Sequence, residues 1–228
     1  MNLDSFLELI FPSRCAGCSE LTGKGPALCE KCARSLQTYD SLFCGVCMAR
    51  LPEGKKICHP DSPFILGAAI NYHSGAAGAL IRELKFKRNK KIAKFLADLL
   101  ASYLKKLPFT LSSYEILAMP LSSARQRERG FNQAGLIAEE LSPLVSVPIL
   151  PGGLIRTKHS APQSKIRGRK ERLQNVSGAF SAKPELVAGK NIILLDDVIT
   201  SGATMFEAAR ALKSAGVRKI IALAAAKA

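Results

Sequence analysis

A repeat of cysteine pairs constrains this chain more tightly than anything else in it. Cys15-x2-Cys18 is followed after ten intervening residues by Cys29-x2-Cys32, and 29 residues further on the pattern returns as Cys44-x2-Cys47 and then Cys58. All seven cysteines lie in this stretch. A Cys-x2-Cys knuckle turns two thiolates towards one ion, and two knuckles complete a tetrahedral zinc site. Cys15, Cys18, Cys29 and Cys32 make a full set. The second set, Cys44, Cys47 and Cys58, needs a fourth ligand. Asp61 keeps the register of the repeat, whereas His59 is the commoner type of zinc ligand. Disulfides are disfavoured by the odd count and by a chain that reads as cytoplasmic. A closed four-ligand site leaves no position for substrate, so one or two structural zinc ions are expected. Metal would supply folding free energy that so short a segment cannot draw from an apolar core. Ahead of the repeat, "MNLDSFLELIF" is expected to form an amphipathic helix with Leu3, Phe6, Leu7 and Ile10 on one face.

The remainder has a different character. Seven Lys/Arg and seven Asp/Glu cancel over residues 1–62, so the net charge of +15 is carried by 63–228. Two domains are expected, a cysteine-rich one over 1–62 and a larger one over 63–228. A basic surface of this size suits a polyanion, either a phosphorylated metabolite or a nucleic acid. Hydrophobic residues make up 47% of the 228, enough for a core, and no apolar run approaches the roughly 18 residues of a membrane span. The acidic start lacks the features of a signal peptide, so a cytoplasmic protein is expected.

From residue 63 the pattern alternates strand and helix. Strands are expected at "FILGAAINY", "YEILAMP", "NIILLDD" and "RKIIALAAA". Helices are expected at "GALIRELKFKR", "NKKIAKFLADLLASYLKKL", "NQAGLIAEEL" and "TMFEAARALKSAG". The second helix carries an apolar stripe of Ile92, Phe95, Leu96, Leu99, Leu100 and Tyr103. Continuous apolar strands alternating with helices predict an α/β domain with a mainly parallel sheet flanked by helices. Ligands of such sheets bind beyond the carboxyl ends of the strands.

Two segments fall at those ends. In "LLDDVITSGATM" an apolar strand runs into Asp196 and Asp197 and then into a hydroxyl-rich turn, Thr200, Ser201, Gly202, Ala203 and Thr204, that opens a helix. Free N–H groups at a helix start, hydroxyl donors and a glycine that admits close approach favour a phosphate. Two carboxylates beside it suit a pair of sugar hydroxyls. In "LSSARQRERGFNQAGLIAEEL", Arg125, Arg127 and Arg129 occupy an expected turn, with Gly130 easing it and Asn132 capping the next helix. Guanidinium groups grip phosphate in a bidentate way.

"IILLDDVITSGATM" resembles the phosphoribosyl-pyrophosphate (PRPP) signature of type I phosphoribosyltransferases. With the cysteine ribbons ahead of it, the chain resembles the ComF family of competence proteins along nearly its whole length. The resemblance implies that Asp196 and Asp197 bind the ribose hydroxyls, that Thr200–Thr204 holds the 5′-phosphate, and that magnesium accompanies the pyrophosphate. It also implies a closing loop in "RTKHSAPQSKIRGRKERLQNVSGAF", with Gln163, Lys165, Arg172 and Asn175 as functional positions. His159 there reads as an ordinary loop residue. No glutaminase half is expected, because Asn2 follows the initiator and every cysteine belongs to the ribbon repeat.

Relatives in the ComF family are tied to DNA uptake and natural transformation. The expected function is therefore PRPP binding by a phosphoribosyltransferase-type protein that contacts single-stranded DNA and works with DNA-uptake or recombination proteins. The alternative is an active phosphoribosyltransferase of metabolism with no DNA role. Two clusters of seven Lys/Arg, over 82–94 and 156–172, are candidates for the nucleic acid. In the first, Lys85, Lys87, Arg88, Lys90 and Lys91 would hold phosphates while Phe86 stacks on a base. Tyr72 and Phe131 are further candidates for stacking.

Overall fold

The computed structural model describes residues 13–22, 27–51, 58–107, 110–157 and 176–228. The expected helix over 1–11 lies outside them.

The cysteine-rich segment folds with little regular structure. A short helix α1 (Glu30–Arg34) begins within the second knuckle, with Cys29 at its N-cap and Cys32 inside it. Strands β1 (Leu42–Cys44) and β2 (Arg50–Leu51) form a small hairpin around the third. This hairpin does not stand apart. β1 pairs antiparallel with β3 (Ile65–Asn71), Phe43 opposite Leu66 and Cys44 opposite Ile65. A cysteine of the second set is therefore itself a strand residue of the main sheet.

That sheet has the order β2-β1-β3-β8-β7-β4, in which β4 spans Tyr114–Ala118, β7 Asn191–Ile199 and β8 Lys219–Lys227. β3, β8, β7 and β4 are parallel, as the alternating pattern predicts. Side-chain alternation divides the core in two. On one face Ile193, Leu195, Ile221 and Leu223 pack under α2 (Ala77–Lys87), α3 (Lys90–Leu104) and α5 (Gln133–Val145). On the other, Ile192, Leu194, Ala222 and Ala224 pack under α7 (Ala203–Ser214). Because both faces are covered, residues 192–195 of β7 and 220–226 of β8 read as continuous apolar runs instead of alternating ones.

The α3 stripe behaves as its period requires. Ile92, Leu96, Leu100 and Tyr103 are buried, with Phe95 and Leu99 partly so at its edge. Tyr103 does more than fill space: its hydroxyl donates to the carbonyl of Ser41 at 2.8 Å, tying α3 to the segment that enters β1. The structure also has a small two-stranded sheet, β5 (Leu154–Arg156) with β6 (Phe180–Ala182), and a one-turn helix α6 (Pro184–Val187).

One expected turn is a helix. The arginine-rich stretch forms α4 (Ser123–Arg129), which Ser122 caps with its hydroxyl and Gly130 closes at φ +72°. The glycine marks the stop correctly, but the residues before it have good helix propensity and a capping serine, which the turn reading overlooked.

Candidate functional site

A cleft of about 440 Å³ opens at the carboxyl ends of β3, β4 and β7. Its lining includes Tyr72, Lys85, Arg125, Arg129, Gln133, Arg156, Asp196, Asp197, Thr200 and Thr204. Residues from separate strands, helices and loops thus converge on one space.

The acid pair lies inside β7, not past its end. Asp196 is still in register with Ala224 of β8, and pairing continues to Ile199. By the period of a strand the two side chains belong to opposite faces. Asp197 lies on the side of α2, where Lys85 Nζ stands 3.2 Å from its Oδ2. Asp196 lies on the side of α7 and lines a small recess with Thr200, Gly202 and Thr204. Each carboxylate accepts the N–H of the following residue, Asp196 from Asp197 at 2.8 Å and Asp197 from Val198 at 2.9 Å. Burial, and then the charge of Asp197, push the Asp196 carboxyl well above the usual carboxylate range, with Lys85 a weaker opposing influence.

The hydroxyl turn leads into α7 through Gly202, whose φ of +75° makes it the cap residue. No side chain caps this helix among the described residues, and its first turn, Gly202, Ala203 and Thr204, borders the recess with the positive end of the helix dipole. Thr200 is exposed and Thr204 partly so, whereas Gly202 and Ala203 are buried in the turn. The Ser201 hydroxyl is enclosed and has no hydrogen-bond partner among the described residues.

Of the three arginines in α4, two face the cleft. Arg125 and Arg129 are one helical turn apart and both line it, while Arg127 is exposed and does not. Two residues along a helix rotate a side chain by about 200°, so the expectation for Arg127 is corrected. Burial lowers the Arg129 guanidinium, against which Asp197 acts and with which Arg125 combines. Its Nε has no hydrogen-bond partner among the described residues. Burial, then Arg125, likewise lower Arg156. Cations that crowd one another in a partly buried cleft have the electrostatic character of an anion site waiting for its anion. Asn132 caps α5 as expected, accepting from Ala134 and Gly135 N–H at 3.0 and 3.3 Å, and its amide donates to the Met119 carbonyl at 3.0 Å. That bond holds the strand-end loop of β4 against α5.

The first basic cluster divides. Lys85 belongs to the cleft, through Asp197, and not to an outer groove. Phe86 is 69% exposed and lies under the Arg129 guanidinium, 5.9 Å from its ring centre. Lys87 pairs with Glu83 at 3.5 Å, and Lys91 donates to Ser13 Oγ at 2.8 Å. Arg88 and Lys90 are exposed. Phe131 is corrected as a stacking platform: it is 7% exposed and packs in the core beneath α5. Tyr72 does line the cleft. The positions 159, 163, 165, 172 and 175, with most of the second basic cluster, lie outside the described residues.

Both cysteine sets converge. In Cys15, Cys18, Cys29 and Cys32, and in Cys44, Cys47, Cys58 and His59, the ligand atoms lie within 4.8 Å of one another. Four sulfurs about 2.3 Å from one zinc would stand roughly 3.8 Å apart, and Cys18–Cys29 and Cys47–Cys58 measure 3.6 and 3.4 Å. The donor sets fit zinc. His59 is the fourth member of the second set, its Nδ1 3.4 Å from Cys44 and Cys58 Sγ. Asp61 is exposed in the turn beyond and does not join it. The register of the repeat pointed to Asp61; the adjacency of His59 to Cys58 decides otherwise. Burial opposes the Cys15 and Cys44 thiolates, but surrounding backbone N–H groups outweigh it and lower both thiols to about 6. Cys58, beside Cys44 and Cys47, is pushed up to about 11. Thiolates packed this closely need a shared cation.

Gln133, Arg156 and the Lys85–Asp197 pair are cleft features that sequence reasoning did not assign. Gln133 is 2% exposed, and its amide nitrogen has no partner among the described residues. The Phe-Asn-Gln helix start was the available signal for it. Lys85 offered none, since its role depends on where α2 crosses β7.

Comparison with known proteins agrees with this architecture. Residues 6–60 match the double zinc ribbon domain, and residues 129–228 match the phosphoribosyl transferase domain. Competence protein F of Haemophilus influenzae is 31% identical over 220 residues, covering 90% of this chain and 86% of that protein. DNA utilization protein YhgH of Escherichia coli K12 is 27% identical over 209 residues, covering 90% and 86%. Competence protein ComFC of Bacillus subtilis is 36% identical over 137 residues, covering 60% and 53%. The parallel sheet is a type I phosphoribosyltransferase fold preceded by a double zinc ribbon. By identity and coverage together, this chain belongs to the competence protein F family.

Proposed function

We propose that this protein binds PRPP in the cleft and acts in DNA uptake, with single-stranded DNA as a partner. One observation carries the PRPP reading: hydroxyl acceptors, an uncapped helix start and converging cations line a single space at the strand ends. Asp196 and Asp197 would accept from the ribose hydroxyls. The turn from Thr200 through Ser201, Gly202, Ala203 and Thr204 would cradle the 5′-phosphate. Lys85, Arg125, Arg129 and Arg156 would meet the pyrophosphate. The loop holding Gln163, Lys165, Arg172 and Asn175 is proposed to close over the ligand and exclude water from the anomeric carbon. Magnesium suits the oxygen-rich acid pair and would neutralise pyrophosphate charge.

The role in DNA uptake is supported by relatives named as competence and DNA utilization proteins. Exposed Phe86, Lys87, Arg88, Lys90 and Lys91 form the surface proposed for the nucleic acid, at the rim of the cleft. Titration calorimetry with magnesium and PRPP tests the site, with affinity expected to vanish in Asp196→Asn/Asp197→Asn; retention of binding would refute the assignment. For DNA, affinity for a single-stranded oligonucleotide should fall steeply with salt and weaken when Lys87, Arg88, Lys90 and Lys91 become Ala. A flat salt response would leave a phosphoribosyltransferase without a DNA role.

A further inference from the structure

The second metal cluster touches the turn that faces the recess. Met48 follows its first knuckle. The knuckle closes with the Met48 N–H donating to the Cys44 carbonyl at 3.0 Å, and Met48 adopts φ +61°, a conformation unusual for a side-chain-bearing residue. From there its side chain reaches across to α7. A Cβ added at Gly202 would lie 2.1 Å from Met48 Cε, so the methyl group occupies the space that any other residue at 202 would fill. Gly202 is thus required twice, for its positive φ and for the methionine lying on it.

A second contact joins the same two elements. The knuckle glycine Gly45 packs so closely on Phe64 that a Cβ would come within 2.5 Å of the Phe64 carbonyl. Phe64 in turn meets Phe206, in the first turn of α7, edge to face at 6.4 Å between ring centres. The cluster therefore supports the N-terminal turn of α7 from two sides. Its ligands Cys47, Cys58 and His59 are exposed, while Met48 and the α7 turn belong to the core cluster behind them.

We infer that Met48 is a positioning residue that couples metal in the Cys44–Cys47–Cys58–His59 cluster to anion binding at the Thr200–Thr204 turn. The physical reason is geometric. The metal fixes the knuckle, the knuckle fixes Met48, and Met48 with Gly202 fixes the direction of the first N–H groups of α7. A phosphate held by several N–H groups is sensitive to displacements of a few tenths of an ångström. Coupling is reciprocal, so a ligand in the turn must also steady the cluster. This rests on the reading that the turn holds the PRPP 5′-phosphate.

The test uses the full chain. Met48→Ala should keep wild-type zinc content yet bind PRPP on the order of tenfold more weakly, within the usual range of coupling between sites. Met48→Leu, similar in volume, should restore most of that loss. In cadmium-substituted protein, the resonance of the site with a nitrogen ligand separates from that of the four-sulfur site. Addition of PRPP should shift it in wild type and not in Met48→Ala. Equal PRPP affinity in wild type and Met48→Ala, or no shift of the nitrogen-ligated resonance, overturns the coupling while leaving the PRPP reading intact. Failure of wild type to bind PRPP overturns the reading itself, and the coupling with it.

Discussion

Asp196 shows how a residue proposed to bind a ligand can work against its own fold. Its carboxyl is raised well above the ordinary value of 3.8 by burial and by the neighbouring Asp197. A folded state that holds a proton more tightly than the unfolded chain loses stability as pH rises from the unfolded value through the folded one. Asp196→Asn should therefore melt at a higher temperature than wild type at neutral pH, and the gap should close as pH falls towards about 4. For a chain of this length each kcal/mol of relief appears as about 2–4 °C. Thermal unfolding over a pH series reads both the sign and its disappearance. An unchanged melting temperature at neutral pH would mean that the carboxyl carries no desolvation cost. If the prediction holds, the acid is kept for its ligand and not for the fold.

At the scale of elements, α4 gives the sharpest discrimination. Arg125 and Arg129 share the cleft face and Arg127 does not. Loss of a charge-assisted hydrogen bond costs about 1.5–3 kcal/mol, so Arg125→Ala and Arg129→Ala should each weaken PRPP binding by roughly ten- to a hundredfold. Arg127→Ala should change it by less than about twofold. Calorimetric titration of the three variants checks the pattern, and equal losses in all three would show that α4 unwinds around the ligand. The same helix marks where sequence reading stopped. Long elements were legible because their patterns are redundant: α3 repeats its stripe over four turns, and β7 and β8 hold the apolar runs 192–195 and 220–226. In α4 seven residues without a buried side chain leave no period to read. The acid pair and hydroxyl turn were legible because their order along the chain is itself the signal. Lys85 was not, because a contact between α2 and β7 depends on packing that no local pattern records. Asp61 shows the opposite error, a repeat followed more literally than the chain follows it.

For the whole molecule, the ribbons are built into the phosphoribosyltransferase-type fold instead of being strung before it. Cys44 ends a strand that pairs with β3, Tyr103 holds Ser41, and Cys15 and Leu28 share one buried cluster with Ala76 and Leu80 of the main core. Metal binding contributes folding free energy where apolar burial is small, so its removal should propagate along these particular contacts. Stripping zinc with a strong chelator should first free β1 and β2, leaving the outer edge of β3 unpaired at Ile65 and Leu66, opposite Cys44 and Phe43. Amide exchange should then accelerate in residues 42–51 and in the β3 amides that bond towards β1. The β7–β8 ladder, covered on both faces and paired on both sides, should keep its protection. Hydrogen exchange read residue by residue in the metal-loaded and stripped protein distinguishes the cases. Acceleration confined to 13–51 would mean that the ribbons melt as an independent unit. Acceleration that extends into β3 and the first turn of α7, through Met48 and Phe64, would mean that the metal sites hold the edge of the sheet and the floor of the cleft as one structure.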